Sequence, residues 1–331
     1  MKQLRTTAEA GAVLRIESLN VEYLSSRGVA RAVQDVSLEL RAGETLGIVG
    51  ESGSGKSTLG FAIMGLLPRS TARWSGRIFF EGEEVSSFDE RHARQIRGRR
   101  VAMIFQDPMT SLNPVKKIGD HFIEYIRTHE PAVSRQEATK RTTAIMHDLG
   151  IPPARMADYP HQFSGGMRQR VMIGLALVLN PALIIADEPT TALDVIVEAQ
   201  ILQLLADLKR KYNLSVILIT HNMGIVAQMA DKVAVMYSGR IAEIAPTIDI
   251  FEQPKHPYTQ ALLQSIPTVE AGRKTLKVVP GYPPDLTNPP SGCPFHPRCP
   301  YVFDRCSVEE PKLVATGANA LAACHLLTRR P

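Results

Sequence analysis

Gly50-Glu51-Ser52-Gly53-Ser54-Gly55-Lys56-Ser57 is the stretch whose reading decides the fold. It satisfies the phosphate-loop pattern G-x-x-x-x-G-K-[ST], the Walker A loop. It follows a β-rich run, Thr45–Val49, and opens a helical pattern from Thr58 to Leu67. Strand, glycine turn and helix in that order form the setting such a loop needs. Glycines let backbone N–H groups turn toward phosphate because no Cβ blocks them. The helix N-terminus adds positive potential. In this pattern Lys56 is expected to reach the β- and γ-phosphates, and Ser57 to hold Mg²⁺.

Working outward, Leu183-Ile184-Ile185-Ala186 is a short buried strand ending in Asp187 and Glu188. An apolar run ending in two acids is the matching Walker B strand. Asp187 is placed to hold Mg²⁺, and Glu188 to polarise a water for attack on the γ-phosphate. Val13–Tyr23, Ala32–Leu40, Gly76–Phe80, Val101–Phe105 and Val216–Thr220 also read as strands. Ile118–Arg127, Gln136–Leu149, Gly166–Leu179 and Leu193–Lys211 have helical spacing. Strands alternating with helices predict an α/β fold with a largely parallel sheet. The strands stop from about residue 107 to 163, which reads as a helical insertion.

Composition narrows the function classes. Lys and Arg number 38 against 33 Asp and Glu, a net +5 that is too small and too dispersed to predict nucleic-acid binding. The N-terminus has no apolar core of a secretion signal. The longest apolar stretch, Val171–Ala186, is interrupted by Asn180 and Pro181 and is too short to span a bilayer. A cytosolic chain is expected, any membrane spanning being left to other subunits.

Phe163-Ser164-Gly165-Gly166-Met167-Arg168-Gln169 lies just ahead of the Walker B strand, Ser164 standing 23 residues before Asp187. In this order and spacing the chain resembles the ATP-binding subunits of ABC transporters. The resemblance implies a P-loop NTPase fold of the ABC nucleotide-binding type, with an antiparallel β subdomain, a helical insertion and a C-terminal extension. It implies that Gly50, Glu51, Ser52, Gly53, Ser54, Gly55, Lys56, Ser57 and Thr58 contact ATP. Ser164, Gly165, Gly166 and Met167 would contact ATP held by a second subunit. Met167 replaces the family's usual glutamine. Gln106 resembles the Q-loop glutamine, touching Mg²⁺ or the lytic water. His221 resembles the switch histidine at the γ-phosphate, here followed by Asn222 where an acid is common. Thr191-Ala192-Leu193-Asp194 resembles the D-loop, which crosses to the partner. Tyr23 stands where the family often stacks an aromatic on adenine.

Three further runs resemble the dipeptide and oligopeptide importers within that family: Gly47–Ser57, Phe105-Gln106-Asp107-Pro108-Met109-Thr110-Ser111-Leu112-Asn113-Pro114, and His256-Pro257-Tyr258-Thr259-Gln260-Ala261-Leu262-Leu263. The resemblance implies peptide import powered by ATP hydrolysis. Its partners would be a second, paralogous ATPase subunit in a heterodimer, two transmembrane permeases and an extracytoplasmic substrate-binding protein. The chain would then sit peripherally on the cytoplasmic face of the membrane. Nickel, glutathione and other non-peptide cargoes are carried by relatives. Soluble repair or translation ATPases and poorly hydrolysing regulators are the competing classes. The expected division is a nucleotide-binding domain over 13–253, with its helical subdomain at about 107–180, and an extension over 254–331.

That extension is unusual in composition. Eight prolines fall between Pro280 and Pro300, a density no regular helix or central strand survives. All four cysteines lie at 293, 299, 306 and 324. Cytosolic thiols stay reduced, so a disulfide framework is not expected. Structural zinc favours C-x2–4-C pairs, which are absent, whereas a [4Fe–4S] cluster accepts looser spacing. Resemblance to peptide-importer ATPases implies such a cluster on Cys293, Cys299, Cys306 and Cys324. Zinc and free buried thiols remain the alternatives.

Overall fold

The computed structural model of the 331-residue chain describes residues 11–26, 28–85, 90–106, 111–191, 193–265, 279 and 281–328. Residues 107–110 of the Q-loop run and Ala192 of the D-loop lie outside the described residues.

Two sheets organise the fold. The first is antiparallel, with four strands in the order β2-β1-β4-β5, where β1 is Ala12–Ser25, β2 Gly28–Arg41, β4 Ala72–Phe80 and β5 Glu83–Glu84. Along β2 buried and exposed residues alternate from Val36 to Arg41, the period-2 pattern of a sheet with one face on the core. The second sheet has eight strands. Its central part runs β9-β3-β8-β7-β6, with β3 Thr45–Val49, β6 Val101–Ile104, β7 Leu183–Asp187, β8 Ser215–Thr220 and β9 Lys232–Tyr237, each neighbouring pair parallel. β3, β6 and β7 are buried at every position, as strands covered on both faces must be.

Register sets up the site. Val49 pairs with Thr220, Asp187 with Ile219, and Ile104 with Ala186. The C-terminal ends of β3, β8, β7 and β6 therefore lie side by side, the edge of an open α/β sheet where ligands bind. The loops leaving that edge carry the phosphate loop, His221, Asp187-Glu188 and Gln106.

The glycine loop runs into helix α1, Lys56–Ile63, which ends sooner than the pattern to Leu67 predicts because Gly65 turns left-handed at φ +61°. A helical layer, chiefly Ile118–His129, Arg135–Asp148 and Gly165–Leu177, packs Phe122, Ile126, Met146, Leu149 and Ile173 into a core of its own with residues of β6, β7 and β8. Its starts are written locally: Ser134 Oγ accepts the Glu137 N–H, and Ser164 Oγ accepts that of Met167.

The C-terminal region departs from the picture of a small appendix without a core. Strand β10, Arg240–Pro246, pairs antiparallel with β9, and β12, Ala320–Ala322, pairs with β10. Strand β11, Val314–Gly317, completes the sheet beside β12. Phe295, Cys293 and Cys306 share a core with Tyr237 and Tyr258. The Tyr237 and Phe295 rings meet edge to face, their centroids 5.3 Å apart, and Tyr258 lies 5.4 Å from Phe295. Aromatic pairs of this geometry contribute about 0.5–1.5 kcal/mol each beyond area burial. The proline-rich segment is thus held by side-chain insertion into the main sheet's flank. Among the described residues no helix is long and apolar enough to cross a membrane.

Candidate functional site

The phosphate loop is built on close backbone approach. Gly55 sits at φ +99°, and a Cβ there would fall 2.1 Å from the Ala32 carbonyl oxygen, so only glycine fits. Lys56 is 6% exposed, and its ammonium donates to the carbonyls of Gly50 at 2.8 Å and Glu51 at 2.9 Å. Burial pulls the Lys56 ammonium below its ordinary pKa, while Glu188, Asp187 and Glu51 act against that. The Ser57 hydroxyl donates to Asp187 Oδ1 at 3.1 Å, joining two of the residues expected to hold Mg²⁺. Burial raises the Asp187 carboxyl and the neighbouring Glu188 charge adds to this, with Ser57 and Lys56 opposing.

Glu188 is the hub of the site. Gln106 Nε2 donates to Oε2 at 3.3 Å and Thr191 Oγ1 donates to the same oxygen at 2.8 Å. His221 Nδ1 lies 3.0 Å from Oε1, which makes it the donor to an ionised carboxylate. Burial alone would raise the Glu188 carboxyl. The hydrogen bonds from His221 and Thr191, with the charges of His221 and Lys56, outweigh it and hold the group below its usual range. Its backbone sits at φ +46°, an uncommon conformation for glutamate, held by its N–H donating to the Ile219 carbonyl at 2.9 Å. The three residues expected to act on the γ-phosphate and water, Gln106, Glu188 and His221, are therefore brought together, with the expected Mg²⁺ ligand Asp187 next in the chain to Glu188. Thr191 was assigned only to the D-loop from sequence; its place three residues after Glu188 in a turn is the signal that finds it.

The signature segment forms the capped start of helix Gly165–Leu177. Ser164 caps Gly165–Leu177 and is itself exposed. A Cβ on Gly166 would lie 2.5 Å from Val197 Cγ1, so glycine here lets the helix start pack against the D-loop helix, Val195–Tyr212. The Met167 side chain turns inward, packing on the helical core with Arg155 Nη1 3.4 Å from its sulfur. Asp194 caps Val195–Tyr212, accepting the N–H groups of Ile196 and Val197. Its carboxylate thus has a role within the chain besides the expected crossing to a partner. Beside it Val195 and Ile196 are 82% and 72% exposed. Tyr23 is partly buried against the core beneath the antiparallel sheet.

The four cysteines are free thiols, Cys293 and Cys306 buried, Cys299 and Cys324 half-buried. The Cys293 N–H donates to the Cys306 carbonyl at 2.8 Å. Among the described residues, no group of three or more His, Cys, Asp or Glu is arranged to hold a metal ion. The side chains are therefore not gathered into the ligand shell that the resemblance implies. Burial pushes the Cys293 thiol up to about 11 and raises those of Cys299 and Cys324. Backbone N–H groups of Phe295, Tyr301 and Leu326 act the other way, and neighbouring cysteines add to the rise.

Sequence reasoning also missed what surrounds Glu51. Its N–H donates to Tyr258 Oη at 2.9 Å, and its carboxylate accepts both ends of the Arg298 guanidinium, at 2.7 and 2.9 Å. Tyr258 was visible only as part of the run His256–Leu263, and Arg298 carried no signal at all.

Residues 33–191 match the family model described as ABC transporter, and residues 242–306 match that of the oligopeptide/dipeptide transporter C-terminal region. The oligopeptide transport ATP-binding protein OppD of Salmonella typhimurium is 47% identical over 317 residues, covering 95% of this chain and 94% of that protein. The dipeptide transport ATP-binding protein DppD of Bacillus subtilis is 49% identical over 291 residues, 87% of each chain. Among solved structures, the dimeric ATP-binding cassette MJ0796 in a post-hydrolysis state bound to ADP and Pi is 26% identical, with a TM-score of 0.63 over 71% of this chain and 98% of its own. With its phosphate loop, Walker B acids and signature helix in one fold, and with relatives of this identity over nearly its full length, the chain belongs to the family of ATP-hydrolysing, ATP-binding subunits of oligopeptide and dipeptide ABC transporters.

Proposed function

We propose that this chain powers peptide import by binding ATP·Mg²⁺ in the loop at residues 50–58 and hydrolysing it at Glu188. The observation that carries the reading is the Glu188 carboxylate, held by Gln106, Thr191 and His221 beside the Ser57–Asp187 pair at the ends of adjacent parallel strands. Lys56 binds the β- and γ-phosphate oxygens. Glu188 orients a water and takes its proton as the oxygen attacks the γ-phosphorus, the bond to the ADP oxygen breaking. His221 keeps Glu188 ionised and lies on the γ-phosphate side. Ser57, Gln106 and Asp187 offer oxygen donors that suit a hard dication, which when bound offsets charge on the triphosphate.

Ser164, Gly165 and Gly166 form the second anion site, facing ATP on a paralogous ATPase subunit, and Tyr23 stacks on adenine. Support for a partner at this face comes from the exposed Ser164 and from Val195 and Ile196, two large apolar residues left open beside it. In the proposed assembly two permeases receive the helical layer and an extracytoplasmic binding protein delivers peptide, which places the chain peripherally at the cytoplasmic face. We divide the chain into a nucleotide-binding domain, 13–253, and an extension, 254–331; two separate family matches, at 33–191 and 242–306, favour two parts, the second match beginning at residue 242. The test is reconstitution with both permeases and the partner ATPase. ATP turnover rising several-fold with peptide-loaded binding protein is expected. A response only to glutathione or a nickel chelate moves the cargo elsewhere, and failure to assemble with membrane subunits favours the soluble class.

The four thiols complete the proposal as ligands of a [4Fe–4S] cluster. Support lies in the donor set rather than in its present arrangement: four cysteines in one small region, three with a backbone N–H that lowers the thiol pKa, which a cluster would have to draw together. Such N–H groups favour thiolate, and a cluster would tie a proline-rich segment to itself. Protein purified anaerobically is expected to carry about four iron and four sulfide per chain. Stoichiometric zinc with no visible chromophore, or four alkylatable thiols with no metal, overturns the assignment.

A further inference from the structure

The proline-rich C-terminal segment reaches the phosphate loop through one side chain. Arg298 is buried, and both its terminal nitrogens bond the Glu51 carboxylate, one to each oxygen. Nη1 also lies 3.2 Å from Tyr237 Oη, and Nη2 3.4 Å from the Val279 carbonyl. A planar fork with this many partners has little freedom, so it fixes what it binds. What it binds is the second residue of the nucleotide loop.

Every polar group of Glu51 is engaged. Its N–H donates to Tyr258 Oη, its carbonyl accepts Lys56 Nζ, and its carboxylate takes Arg298. Tyr258 and Arg298 both come from the C-terminal region, beyond the matched cassette at 33–191. The loop is therefore gripped from inside by Lys56 and from outside by the extension. Anion binding by backbone N–H groups depends on those groups already pointing at one place, and a loop free to sample other shapes pays entropy on binding.

We propose that Arg298 is a positioning residue for ATP binding: through its two bonds to Glu51 it holds the phosphate loop in its receiving shape, making nucleotide affinity depend on an intact C-terminal segment. Arg298 touches no substrate in this scheme and takes no part in the hydrolytic step. The inference rests on the reading of residues 50–58 as the nucleotide loop.

The experiment measures affinity for a fluorescent ATP analogue, and ATP turnover with Mg²⁺, on the full-length chain. Arg298→Ala is expected to raise KM and Kd about tenfold, the loss of charge-assisted bonds, while saturating turnover stays within about threefold; Glu51→Ala, which removes the other half of the same contact, is expected to lose at least as much affinity. Arg298→Lys keeps the charge but loses the fork, and is expected to recover only part of the affinity. The double variant is expected to match the single ones, because both act on one contact. Lys56→Ala is the control. Unchanged affinity in Glu51→Ala while Lys56→Ala loses binding overturns the positioning role alone. Unchanged affinity in both overturns the nucleotide-loop reading with it. A loss confined to turnover also overturns the proposal. Should Arg298→Ala fail to fold, Glu51→Ala decides, since it leaves the C-terminal segment untouched.

Discussion

Glu188→Gln is expected to bind ATP within a few-fold of the native affinity while turning it over about 10²–10⁴-fold more slowly, the usual contribution of a positioned base. The amide keeps the size of the side chain and can still accept from Thr191 at the oxygen end. It cannot take a proton from water. It also loses the charge that makes His221 a donor to it. Because binding survives and cleavage does not, the ATP-bound arrangement should accumulate. Sedimentation or size exclusion with the partner ATPase is expected to show a dimer stable in ATP and dispersed in ADP. Near-native turnover would remove Glu188 from its role and leave the Gln106–Glu188–His221 grouping as mere structure.

Lys56→Ala is expected to weaken nucleotide binding about a hundredfold, in line with truncating one partner of a buried, hydrogen-bonded charge pair. The ammonium is pulled down by burial and held charged by Glu188, Asp187 and Glu51 around it. A triphosphate would add the strongest anion in its reach. Without the ligand, Nζ is satisfied by carbonyls of the loop it belongs to. Alanine removes the cation but leaves the glycine backbone and its φ angles in place. Loss of affinity is therefore expected with little loss of folding, checked by ATP-analogue titration beside a thermal melt. Binding within about threefold of native would remove Lys56 from phosphate binding and, if Glu51→Ala were unchanged as well, would take the nucleotide-loop reading with it.

The two variants separate two parts of one device. Lys56 acts on ground-state binding, and Glu188 on the proton that moves in the transition state. A third, Arg298, stands outside both and acts on the shape of the loop.

How far the sequence was legible depended on how local each feature is. The strand Thr45–Val49, the glycines and Lys56 are contiguous, and their backbone chemistry dictates a turn wherever they occur. The predicted strands at 183–186 and 216–220 fall on β7 and β8 almost to the residue, because uninterrupted apolar runs between turn residues have few other fates. The sequence reading passed over β9, β10, β11 and β12. Val233–Tyr237 is an apolar run closed by Ser238-Gly239 and was legible, whereas β11 and β12 span only four and three residues, and their pairing is decided by long-range contacts. The proline-rich segment read as a separate appendix, and prolines do rule out regular structure there. They say nothing about where Phe295 and Cys293 insert, since packing partners leave no local trace.

The amino-acid order by itself determined the nucleotide loop, the paired acids and the signature turn, since glycine conformations, hydroxyl caps and charged side chains at fixed spacing act through their immediate neighbours. Only the tertiary structure decided that Gln106, Thr191 and His221 converge on one carboxylate, and that Arg298 closes on Glu51 across 247 residues. The physical reason is that strand order and register bring distant chain ends to one sheet edge, whereas no periodicity along a chain encodes which side chain will meet another.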